Sequence, residues 1–139
     1  MIYQPTKLIE QVFVENNLHC QVSERGEMSV VLAGFNGKNA RNIMVHFISR
    51  SDAHDVAVRV LGITTVAAER RGAMLEVLNG FNKRFRFVKF VLDDSGAVNL
   101  DTDVPVRTTN VGEVCMELFV RIMQILDEIY PELMKAAWA

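Results

Sequence analysis

The sequence predicts an α+β domain of order α-β-β-β-β-α-β-β-α, with helices flanking an antiparallel sheet. Three observations carry this. Apolar residues recur with period two from about residue 19 to residue 61, interrupted by three turn-forming clusters. Three segments, near residues 5–15, 66–82 and 110–137, recur instead with the helical period. Between the last two, residues 85–101 alternate again around an Asp-Asp-Ser-Gly turn.

The elements follow in order. Pro5 and Thr6 precede a helix in which Leu8, Ile9, Val12 and Phe13 share helical spacing, and Asn16 and Asn17 supply its stop. His19 to Ser23 and Met28 to Phe35 read as strands around a turn in which Gly26 takes the positive φ. Asn36-Gly37 marks a tight turn into a third strand, Ile43 to Ile48. After Ser51 to Asp55, Val56, Val58 and Val60 alternate in a fourth strand ending at Leu61. Thr65 is the expected N-cap of a helix from Val66 to Asn82, with Met74, Val77, Leu78 and Phe81 on its stripe. Pro105 closes the last strand, because proline donates nothing to a ladder. Thr109 or Asn110 caps a final helix running to about Ala137, and Pro131 is expected to kink it or split off a last turn.

Composition narrows the function classes. The chain has 139 residues, enough for a single domain spanning 1–139 with a core that needs neither disulfide nor metal. A net charge of -2 gives no electrostatic footing on phosphate, so no nucleic-acid partner is expected. No apolar run approaches the roughly 18 residues of a membrane helix, and the first ten residues do not read as a signal peptide. Cys20 and Cys115 are far apart and read as reduced thiols in a cytoplasmic protein.

Catalytic and metal patterns do not form. Placing Gly96 at the glycine of a calcium loop puts Val91 and Thr102 where acids belong, so Asp93, Asp94, Asp101 and Asp103 read as a solvated turn. His19, Cys20, His46, His54 and Cys115 lack zinc spacing. There is no nucleophile motif and no glycine-rich phosphate loop, and Val114 and Met116 beside Cys115 indicate burial. The expectation is a non-enzyme without cofactor or metal.

Two segments carry more apolar surface than one sheet needs. In the strand from Phe85 to Leu92, Val88, Phe90 and Leu92 point one way while Phe85, Phe87 and Val91 point the other. The final helix has one stripe through Val111, Val114, Leu118, Ile122, Ile125 and Ile129. A second stripe runs through Met116, Phe119, Val120, Met123, Leu126, Tyr130 and Met134. Helices apolar on most sides are covered by more chain or by a partner. The candidate interface is therefore Phe85, Phe87, Val91, Met116, Phe119, Met123 and Tyr130, serving a homodimer and an unidentified protein or peptide.

The stretch from Glu76 to Asp101 also resembles a known family. Leu78, Asn79, Gly80, Phe81 and Asn82 end a helix, Phe85 leads into a strand, and Asp93 to Gly96 form an acidic turn, as in the central signature of the YbjN family. The resemblance implies a fold similar to class I type III secretion chaperones: a curved antiparallel sheet flanked by helices, usually dimeric. It implies a role in binding and sensory-transduction regulation, and no active site to transfer. Two alternatives stand beside the binding module. One is a small-molecule regulator with a pocket between sheet and helices, where Arg70, Arg71 or Arg86 anchors an anion. The other is a true secretion chaperone that takes an extended peptide by strand addition, although this chain is less acidic than such chaperones.

Overall fold

In the computed structural model, which describes residues 1–138, helix α1 (Gln4–Glu15) opens with Pro5 in its first turn, where the missing N–H costs nothing. It stops as its asparagines predict. The Asn16 side-chain amide donates to the Val12 carbonyl, and Asn17 takes a left-handed φ of 59°. Strands β1 (Gln21–Arg25), β2 (Met28–Phe35), β3 (Ile43–Ser49) and β4 (Val56–Thr65) follow. Then come helix α2 (Arg71–Arg84), strands β5 (Lys89–Leu92) and β6 (Ala97–Val104), and helix α3 (Val111–Trp138). The six strands form one antiparallel sheet of order β1-β2-β3-β4-β6-β5.

The period-two pattern decides what packs where. Val31, Phe47 and Val58 lie side by side on the inner face and are fully buried. Val60, Leu100 and Phe90 continue that face toward β5. On this side α1 lies on β2 and β3, α3 on β4 and β6, and α2 on β5. The alternate residues Leu32, His46, Arg59, Asp101 and Lys89 form a row across the outer face. There Arg59 donates to the Thr102 carbonyl at 2.7 Å and pairs with Asp103 at 2.9 Å.

Three expectations are corrected. The helix expected from Val66 starts only at Arg71, after a short 3-10 turn (Ala68–Arg70), because the Val66 N–H donates to the Gly96 carbonyl at 2.8 Å and remains in the sheet's hydrogen bonding. Strand β4 runs past Leu61 to Thr65 by way of a bulge between Val60 and Thr64. Gly62 takes a φ of 61° there, and its N–H is held by Asn99 at 2.8 Å. The Asn36-Gly37 turn opens the way to β3 as expected, with the Gly37 N–H donating to the Ala40 carbonyl at 2.6 Å. The connection 36–42 lies against α3, and a Cβ on Gly37 would run into the Asp127 carboxylate. Finally, no last turn splits off at Pro131, and α3 continues through it as one helix. Proline leaves the carbonyl four residues back unpaired, and the Asn39 side-chain amide donates to that carbonyl, on Asp127, at 3.0 Å.

Candidate interaction surface

The strand expected over Phe85–Leu92 forms only from Lys89, and the reason is Asn82. Phe90 pairs with Leu100 at the open edge of the sheet. Its N–H donates to Asn82 Oδ1 at 2.7 Å, and Asn82 Nδ2 donates to its carbonyl at 3.1 Å. One side-chain amide thus replaces a neighbouring strand, and the helix-ending asparagine of the recognised stretch sets where β5 begins. Phe81 supports this junction with its ring 5.3 Å from that of Phe90.

Residues 85–88 are therefore a loop, and Phe85, Phe87 and Val91 share no face. Phe85 follows α2 and packs partly on the core. Val91 is half-buried opposite Asn99 on the outer face of the sheet. Phe87 is the unusual one: it is 61% exposed while its φ is 72°. A bulky residue in the left-handed region is strained, and strain of this kind gathers where the surroundings or a function require it. The Arg121 guanidinium lies over the Phe87 ring at 4.9 Å.

The second stripe of α3 divides. Phe119 is only 3% exposed, with its ring 6.2 Å from Phe13 and 6.0 Å from Phe35. Leu126 is fully buried as well. Both belong to this chain's own core, and because α1 and the end of β2 close over Phe119, it leaves the candidate interface. Met116, Val120, Met123, Tyr130 and Met134 remain half-buried. Met116 and Val120, with Val12 of α1 and Asn16 just after it, line an open groove of about 650 Å³ whose rim is Glu113, Glu117, Arg121 and Gln124. Tyr130 lies elsewhere, at a recess of about 190 Å³ beside the β4 bulge, with Met44, His46 and Leu61.

The groove residues Val12, Glu117 and Arg121 were outside the expected set. Glu117 and Arg121, four apart and 3.3 Å from each other, carry the i,i+4 signal that the sequence already held. Val12 had none, since only the packing of α1 beside α3 brings it there.

The polar residues weighed for chemistry have structural partners. Asp93 is drawn down to about 2, first by the Ser95 hydroxyl and then by the Ala97 N–H and the Asn99 side chain. Through Asn99 the same turn holds the Gly62 bulge. Asp101 and Asp103 pair with Arg59. Asp127 is lowered by the N–H groups of Ala40 and Asn39. Burial pushes the Cys115 thiol up to about 12, which leaves it unreactive at neutral pH. Burial, then Arg25, lowers His46. Among the described residues no group of three or more His, Cys, Asp or Glu side chains is placed to hold a metal ion, and no helix is long and apolar enough to cross a membrane. The three arginines weighed as an anion site do not gather: Arg70 lines a surface recess with Val77 and Lys135, whereas Arg71 lies against Gly96 and Arg86 is exposed.

Comparison with known proteins agrees with this architecture. No curated protein matches the sequence. A solved structure that it resembles is that of YbjN from E. coli, described as "a putative transcription regulator". The two share 14% sequence identity, with 91% of each chain covered and a TM-score of 0.56, a likeness of fold. The YbjN family, described as "Putative bacterial sensory transduction regulator", matches residues 5–134. With residues 5–134 of its 139 matched by the family, the chain belongs to the YbjN family.

Proposed function

We propose that the protein is a non-enzymatic regulatory module that acts by binding protein, a second copy of itself included, in the cytoplasm. The observation that carries this reading is the α1–α3 groove with Phe87 beside it. Its floor is apolar and includes a thioether, which adapts to varied surfaces. Its rim carries both signs of charge, and no nucleophile stands next to a base there. An exposed aromatic ring under an arginine is the kind of anchor that dominates protein interfaces. Both cysteines are free thiols, which suits a reducing compartment. Family membership supports a regulatory role.

Light scattering over a wide dilution range tests the reading. A mass near twice 15.7 kDa that falls on dilution is the expected result. A monomer at every concentration, together with a melting shift from a small metabolite, would replace protein binding with small-molecule sensing.

A further inference from the structure

The recess beside the β4 bulge lies where the sheet comes apart. Strands β3 and β4 are in register only from the His46–Arg59 pair to the Ile48–Ala57 pair. Outside that span β3 reaches back to Ile43 and β4 runs on to Thr65 without pairing to each other. Asparagines pin both walls of the gap. The N–H of Gly62, at a φ of 61°, is held by Asn99, and the N–H of Asn42, at a φ of 56°, donates to Asn36 Oδ1 at 2.7 Å. Bulges of this kind gather beside functional sites, where they end pairing and re-aim side chains.

The lining carries one sign of charge. Arg41, His46 and Tyr130 bring a guanidinium, an imidazole and a phenol, and no Asp or Glu is among the lining residues. Arg41 forms no ion pair among the described residues, and its guanidinium reaches the Gly37 carbonyl only at a long 3.4 Å. His46 Nδ1 is shielded from solvent and has no partner in the chain, and an orphaned buried polar atom is rare enough to need a cause. Met44 and Leu61, both exposed, add apolar surface. At about 30 Å³ per water, a recess of about 190 Å³ has room for about six waters or one small organic acid. We infer that the recess binds a small organic carboxylate, with its head on Arg41 and Tyr130 beside His46 and its apolar tail against Met44 and Leu61. This site goes beyond the protein-binding reading and does not depend on it, since it shares no residue with the α1–α3 groove.

Acetate, isovalerate and benzoate test it, because they enlarge the tail at constant charge. Each is titrated into the nitrogen-15-labelled chain and followed by amide shifts in NMR spectra. Saturable shifts confined to the two walls, from Arg41 to His46 and from Val60 to Ile63, and to Tyr130 are expected, with affinity rising from acetate to benzoate. Benzyl alcohol, the neutral counterpart of benzoate, is expected to bind about tenfold more weakly or worse, the worth of a charge-assisted hydrogen bond. Arg41 is exposed and Tyr130→Phe removes a single oxygen, so Arg41→Ala and Tyr130→Phe are expected to fold, with circular dichroism as the check. Each is expected to weaken benzoate by about tenfold. The absence of a saturable response to all three acids, or shifts scattered over the surface, would overturn the inference. Equal binding of benzyl alcohol would overturn carboxylate recognition, and unchanged affinity in both variants would overturn this recess as its place. A failure here leaves the protein-binding reading standing, because that reading is decided by the mass of the chain on dilution.

Discussion

Two neighbouring regions treat the ends of their chain segments in opposite ways. At the junction of α2 and β5, the backbone N–H and carbonyl of Phe90 are both satisfied by Asn82, so the open edge of the sheet offers no free pair at that residue. Only five residues after Asn82, Phe87 exposes an aromatic ring from a strained backbone beside an open apolar groove. An edge strand invites pairing with any other strand and is commonly blocked. A side-chain surface is more selective, because shape and charge must both match. The contrast is between an edge residue whose backbone is closed off by one side chain and a side-chain surface left open to solvent.

The comparison can be broken most strongly inside α3, where the two halves of one stripe have different tasks. Phe119→Ala is expected to cost about 3–5 kcal/mol of stability by urea unfolding, because it empties a site between Phe13 and Phe35. Met123→Ala, half-buried on the same helix, is expected to cost well under half as much. Equal losses would mean that the stripe is not divided.

Asn82→Ala comes next. It leaves the Phe90 N–H and carbonyl without partners at an edge, at a cost of about 1–3 kcal/mol, with added aggregation because the edge is reopened. Unchanged stability would show that water serves these groups as well as the amide does. Phe87 inverts a familiar ranking. Phe87→Gly and Phe87→Ala lose the same ring, but only glycine relaxes a φ of 72°. The glycine variant is therefore expected to be the more stable by about 1 kcal/mol, where glycine is ordinarily the worse residue. An alanine variant equal or superior in thermal melting would remove the case for strain.

The smallest effect is on pH. Asp93 titrates near 2, below the ordinary aspartate value of about 4. A depressed carboxylate contributes stability above its unfolded value and loses that contribution as pH falls through its folded value. The turn at Asp93 is therefore expected to weaken between about pH 4 and pH 2. Asp93→Asn should flatten this part of the acid limb of unfolding curves. An unchanged limb would assign acid sensitivity to other groups, Asp127 first among them.

Much was legible in the sequence wherever the cause is local. Period two and period 3.6 are read from a few consecutive residues, and so are the glycine turn at Gly26, the Asp93–Gly96 turn and the asparagines that stop α1. The order of all the strands and helices followed from these, as did the length of α3 and the family resemblance at Asn82. Tertiary structure alone decided the rest. The Val66 N–H went to Gly96, so α2 began late. Asn39 took the carbonyl that Pro131 left open, so α3 ran on. Phe13 and Phe35 drew Phe119 into the core, and Asn82 ended the loop that exposes Phe87. Each of these depends on a partner brought close only by folding. A hydrogen bond or a packed ring is governed by distance in space, and most of these partners lie tens of residues away along the chain.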